Sequence, residues 1–204
     1  RTKLTLPDGT LVWLNAGSRI TYSQGFGVGN RKIELIGEGY FEVKRNEEVP
    51  FLVKTNSLLV KVLGTKFNFR DYPDDAEAIV SLSEGKVALN NLLKKEKEAF
   101  LLPNERVVLN KKNGRMHVEY STVSNALQWT NGYLFFDEEL LPDVVKELER
   151  SYNVKIQIAS DTLNTFRFYG NFVHREQNIQ EVLEALSATR KIHYIIEGHN
   201  ITLY

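Results

Sequence analysis

The side chains with the chemistry to hold a metal or activate a nucleophile are few and dispersed: His117, His174, His193 and His199, one acidic turn and one glycine-rich loop. A metal centre needs three or four ligands brought to one point. Of the histidines only His193 and His199 could approach, across a hairpin at the end of the chain. The acidic run DYPDDAEA offers Asp71, Asp74, Asp75 and Glu77, but its spacing follows no calcium loop, and Pro73 beside paired acids is the chemistry of a solvated turn. The loop GFGVGN, residues 25 to 30, lacks the following helix that a dinucleotide fingerprint requires, because a strand comes next. It reads as a hairpin tip.

Nucleophilic catalysis fares no better. The chain has no cysteine, and no serine stands in a glycine-flanked elbow. A cupin-like metalloenzyme would need histidines clustered on facing strands, and the β-rich part holds His117 alone. The expectation is a protein that is not an enzyme, with no cofactor and no metal.

Lys+Arg 26 balance Asp+Glu 26, so there is no basic bias toward nucleic acid. Lys94, Lys95, Lys97, Lys111 and Lys112, mixed with Glu96 and Glu98, read as a solvated edge that discourages sheet-to-sheet aggregation. Without cysteine, structural disulfides are excluded, which suits cytoplasm and periplasm alike. No apolar run approaches the ~18 residues of a membrane-spanning helix. The chain opens at Arg1 and its one methionine is Met116, so it is expected to be part of a longer protein.

The elements that must position any site begin with the stretch from Ile33 to Arg70, which reads as three strands. In the first, Ile33, Leu35, Phe41 and Val43 share the core face and Glu34, Glu38, Glu42 and Lys44 the outer one. Gly37 and Gly39 fall on the core side and mark crowding or a bulge. In LLVKVLGTKFNFR the polar positions switch parity at Gly64-Thr65, which predicts a β-bulge there. Before this stretch, Pro7 to Thr10 make a hairpin turn between Leu4-Leu6 and Leu11-Leu14. After it, Glu84-Gly85 turns between two strands and two more hairpins follow, up to about Tyr120. The fold class is all-β, with sandwich, jelly roll and solenoid all compatible.

From STVSNALQWTNG, a linker or brief helix, the pattern becomes helical. Leu141, Val144, Val145 and Leu148 form one stripe, and Ile179, Val182, Leu183 and Leu186 another. Val144 and Val182, Val145 and Leu183, Leu148 and Leu186, Val154 and Ile192, and Ile158 and Ile196 are each 38 residues apart. Two βαβ units packed as one small α/β domain account for that offset. The expected boundaries are an all-β domain over 1–122, a linker over 123–131 and the α/β domain over 132–204.

LPDGTLVWLNAGSRI, IELIGEGYFEV, PFLVKT, VKVLGTKFNF and LSEGKVAL, in that order, resemble the periplasmic domain of FecR-type transmembrane anti-sigma regulators. LQWTNGYLFFDEELLPDVVKELERSYNVKIQI resembles the C-terminal domain that accompanies it in Bacteroidetes-type members, itself similar to the short N-terminal signalling domains of secretins and TonB-dependent receptors. The resemblance implies a sigma-binding cytoplasmic segment and one transmembrane helix upstream of Arg1, which would make this the periplasmic domain of an inner-membrane protein. It also implies signal relay, without chemistry, from the signalling domain of an outer-membrane TonB-dependent transporter. The other reading is a carbohydrate-binding or structural β module of the envelope.

A partner surface is expected on FRFYGNFV, where Phe166, Phe168 and Phe172 alternate with Arg167, Tyr169 and Asn171. The latter three are the outward set and the candidate partner-binding residues, an exposed Tyr beside an Arg being hot-spot chemistry. Tyr169 covering a helix or the other domain is the competing account. A partner strand added to a free sheet edge is a second route.

Overall fold

The structure, a computed structural model, describes residues 1–204 apart from the side chain of Val123. The chain forms two compact units, Arg1–Thr130 and Asn131–Tyr204.

Among the described residues the first unit contains twelve strands: β1 (Thr2–Thr5), β2 (Leu11–Leu14), β3 (Arg19–Tyr22), β4 (Arg31–Glu42), β5 (Phe51–Lys54), β6 (Leu58–Val62), β7 (Lys66–Asp71), β8 (Glu77–Glu84), β9 (Val87–Asn91), β10 (Ala99–Leu101), β11 (Glu105–Asn110) and β12 (Met116–Tyr120). They run β10-β9-β6-β5-β4-β7-β8-β11-β12, with β1, β2 and β3 added beside β4. This is a β-sandwich closed nearly to a barrel. The strand β4 belongs to both layers: Arg31 to Ile36 lie against β3 and β5, while Gly37 to Glu42 lie against β7 and, toward the end, β2.

The change of layer falls at Gly37, whose φ of +99° an L side chain rarely adopts, and a Cβ there would stand 2.8 Å from Ser18 Cβ. At Gly39 an added Cβ would meet the Phe41 ring at 2.9 Å. Crowding is therefore what both glycines relieve. Inside the sandwich Phe41 stacks on Phe67 at 5.1 Å, with Phe26 and Phe51 near by. Burying each such ring contributes roughly 1.5–3 kcal/mol.

Several expectations need correction. The run through Gly64 is two strands rather than one with a bulge: β6 ends at Val62, β7 begins at Lys66, and they pair in different layers. The parity switch records the chain crossing between layers, and a register shift follows between Lys66 and Phe67. Gly64 is needed because Arg45 Cβ would lie 2.7 Å from a Cβ there. The strands flanking Glu84-Gly85 likewise do not pair with each other, since β8 lies between β7 and β11, and β9 between β6 and β10. Glu38, expected outside, is buried, because both faces of β4 are covered from Gly37 onward. Lys111 is not part of a solvated edge either, for it pairs with buried Asp71.

The unit ends with α1 (Val123–Ala126) and most of a 3-10 turn at Gln128–Asn131, whose last residue opens the second unit.

The second unit holds β13 (Tyr133–Leu140), α2 (Leu141–Tyr152), β14 (Lys155–Ile158), a 3-10 turn at Asp161–Thr165, β15 (Arg167–Val173), α3 (Ile179–Ser187), β16 (Tyr194–Glu197) and β17 (Asn200–Leu203). In α2, Pro142 sits in the first turn, where its missing N–H costs nothing, and Asn153 in the left-handed region ends the helix. In α3 a capping box between Asn178 and Glu181 satisfies the first orphan donors. Leu141, Val144, Val145 and Leu148 are buried, as are Val182, Leu183 and Leu186.

Pairing departs from simple βαβ geometry. β13 pairs antiparallel with β15, and β17 lies between β14, parallel to it, and β16, antiparallel. The two strands flanking each helix therefore lie in different sheets.

Candidate interaction surface

The β13–β15 sheet places the sequence-predicted residues. β15 alternates as its sequence dictates, with Phe168 and Phe172 buried and Arg167, Tyr169 and Asn171 exposed. The two phenylalanine rings lie 6.2 Å apart and within 5° of parallel, both beside Phe136. Between them Gly170 leaves room that no Cβ could share, since one would fall 2.5 Å from Phe168 and 2.8 Å from Phe172. The buried rings hold one face of β15 against the core and leave Arg167, Tyr169 and Asn171 on the other.

On the outer face Tyr169 is 59% exposed, and Phe135, the Cα partner of Asn171, is 37% exposed. Sequence reasoning did not find Phe135, or the bulge beside it. The β13 register shifts between Phe136 and Glu139, and Glu138 takes φ 54°, a strained conformation for a residue with a Cβ. Arg167 braces the bulge. The Arg167 guanidinium donates to the Glu138 carbonyl at 2.6 Å. The Tyr169 hydroxyl bonds the Glu138 side chain, and this bond, followed by partial desolvation and the charges of Glu138 and Asp137, raises its ionisation above the usual phenol range against the opposing Arg167.

A signal for the bulge was in the sequence. Leu134 and Phe136 point inward, so a regular strand would aim Glu138 into the core. One extra residue keeps it out.

The other motifs resolve differently. His193 and His199 do not meet: His193 exchanges backbone bonds with Tyr204 at the open end of the last hairpin, and His199 sits at its turn. His174 bonds the Ser151 carbonyl at 2.8 Å and packs on Tyr152. In the acidic turn, Asp71 pairs with Lys111 and Asp75 with Arg70, so these two carboxylates are neutralised by cations rather than solvated. Among the described residues no group of three or more His, Cys, Asp or Glu could hold a metal ion. GFGVGN forms the tip between β3 and β4, with Phe26 turned into the core.

A second set of residues that the sequence did not expose lies in the first unit. Glu38 accepts from Asn15 Nδ2 at 2.8 Å and Asn68 Nδ2 at 2.9 Å, with Arg70 at 3.5 Å. Trp129 Nε1 donates to Asn68 Oδ1 at 3.1 Å. Arg70 also pairs with Asp75 at 2.8 Å. An acceptor-only carboxylate is surrounded by donors, which is a structural use of charge.

A near-closed β-sandwich is followed by a small α/β unit that exposes aromatic side chains on one face of its β13–β15 sheet. Residues 1–88 match the family described as FecR protein, and residues 133–203 match FecR, C-terminal. Two crystal structures of a candidate anti-sigma factor from Parabacteroides distasonis ATCC 8503, at 1.65 and 2.50 Å resolution, are similar over 100% of this chain and 93% of theirs, at 34% identity and TM-scores of 0.89 and 0.88. Among curated proteins none matches. The chain belongs to the FecR family of cell-surface signalling proteins. No helix among the described residues is long and apolar enough to cross a membrane.

Proposed function

We propose that this chain is the periplasmic receiver of an anti-sigma regulator anchored in the inner membrane. It takes its signal from the signalling domain of an outer-membrane TonB-dependent transporter and passes it to a cytoplasmic sigma factor through a segment upstream of Arg1. The observation that carries this reading is the full-length likeness, at 34% identity, to the candidate anti-sigma factor.

The docking face is the outer side of β13–β15, with Arg167, Tyr169 and Asn171 as the contact set and Phe135 beside them. Two features support it. Tyr and Arg are the side chains that most often dominate binding energy. Arg167 is already tethered to the Glu138 carbonyl, so it has less rotamer freedom to lose on docking. Behind this face, two strand–helix–strand repeats offset by 38 residues supply the scaffold.

Calorimetric titration of this chain with the signalling domain of the transporter encoded beside it tests the reading. Binding in the micromolar range is expected. Absence of heat and of any complex at several hundred micromolar, with both partners folded, would sink it.

A further inference from the structure

The segment that closes the first unit is attached in an unusual way. α1 has four residues, its N-cap Thr122 makes no side-chain capping bond, and neither α1 nor the following 3-10 turn carries a charge that complements its ends. The backbone bonds of the segment are short-range, Asn125 to Thr122, Leu127 to Ser124 and Thr130 to Leu127. Ser124, Asn125 and Asn131 are exposed and Ala126, Leu127, Gln128 and Thr130 half-buried, which leaves Trp129 as the one buried side chain described between residues 123 and 131. A helix so short does not hold itself together in water. α1 lies against β8, and the one buried side chain described that anchors the segment to the sandwich is the indole.

The socket that receives the indole is built independently of it. Glu38 is acceptor-only, so its contact at 2.9 Å must be with the amide nitrogen of Asn68. That fixes the flip of the amide and turns Asn68 Oδ1 outward as an acceptor. Trp129 Nε1–H meets it at 3.1 Å. Asn15 at 2.8 Å holds Glu38 from the other side, so the acceptor is in place whether or not the indole is present. A preformed polar socket with a single aromatic plug is the geometry of a latch.

We propose that residues 123–131 are a strap held shut by Trp129 in the Asn68–Glu38 socket, and that the strap opens as a unit while the sandwich stays folded. Opening turns the segment into a flexible tether. A regulator that must convert an event on one unit into a change felt by the other gains a two-state element at the junction.

Hydrogen exchange on the full chain tests this without any partner, so its outcome is separate from that of the binding experiment. In the wild type, amides of residues 125–131 should be protected. In Trp129→Ala their protection should fall at least ten-fold while amides of Phe41, Phe69 and Val80 keep theirs. Trp129→Phe, which keeps the ring but loses the N–H, should fall in between, and Asn68→Ala should reproduce that intermediate loss. Three results overturn the proposal: unprotected 125–131 amides in the wild type, unchanged protection in Trp129→Ala, or a loss in that variant shared equally by Phe41, Phe69 and Val80.

Discussion

Lys111 Nζ stands 2.6 Å from Asp71 Oδ1, with the Asp71 side chain 4% exposed. The same ammonium reaches the Tyr72 carbonyl, so β11 and its turn are tied to the end of β7 by one cation. Removing it leaves a buried carboxylate without compensation, which costs about 3–5 kcal/mol. Lys111→Met should therefore lower the urea midpoint of the first unit substantially. Adding Asp71→Asn in the same chain should restore more than half of the loss, because the uncompensated charge is then gone. If the single and double variants are equally destabilised, the pair is not what the residues contribute.

Tyr40 gives the fold an alkaline limit. Its burial, then the Glu42 charge and hydrogen bond and the charge of Glu84, push its ionisation up to about 12. In the unfolded chain a tyrosine ionises near 10. The folded state thus favours the neutral phenol, and the resulting stability is complete below about pH 10 and lost as pH rises through about 12. The loss amounts to roughly 2–3 kcal/mol at most. Chemical unfolding of the wild type and of Tyr40→Phe at about pH 9 and about pH 11 reads it out. The variant should lose less stability between the two pH values, and parallel losses would show that Tyr40 is not the group responsible.

Gly170 predicts a packing defect confined to the second unit. Its backbone φ is ordinary, so an alanine there is strained only by space, meeting Phe168 and Phe172 at 2.5 and 2.8 Å. Both rings are buried and stacked, and neither can swing aside without disturbing Phe136. Overpacking of this kind costs about 1–3 kcal/mol. Gly132→Ala provides the contrast, with nothing within 4 Å of the added Cβ but a φ of +89°. Its cost should be conformational and should leave the near-ultraviolet signal of the aromatic cluster unchanged, whereas Gly170→Ala should alter that signal.

What the sequence disclosed follows the physics of each element. Strands with one solvated face, such as β15, and helices with one apolar stripe, such as α2 and α3, leave a period in the sequence, and their inward residues were legible one by one. Where both faces are covered the period vanishes, so Glu38 read as outward and its network with Asn15 and Asn68 stayed hidden. Gly64 was seen as special, but a bulge and a passage between layers leave the same parity switch. Pairing between sheets was beyond reach, since β14 finds its neighbour in β17 after two intervening strands, one helix and a 3-10 turn. At the candidate surface the alternation exposed Arg167, Tyr169 and Asn171, while the role of Glu138 depended on a backbone conformation that its residue type disfavours.

The docking face makes a graded prediction. Tyr169 is a large, exposed ring, so Tyr169→Ala should weaken binding of the transporter signalling domain about 30-fold or more, the range of a hot spot near 2 kcal/mol. Arg167→Met removes the bond to the Glu138 carbonyl and lets the bulge relax. Its effect should appear as faster dissociation with a smaller change in association, because a looser surface loses pre-organisation more than steering. Asn171→Ala, paired across from the half-exposed Phe135, should cost a few-fold. All three side chains are exposed, so the thermal midpoint of the second unit should move little in Tyr169→Ala and Asn171→Ala. Surface plasmon resonance separates the two rate constants. Unchanged affinity in Tyr169→Ala, with the fold intact, would move the contact away from β15.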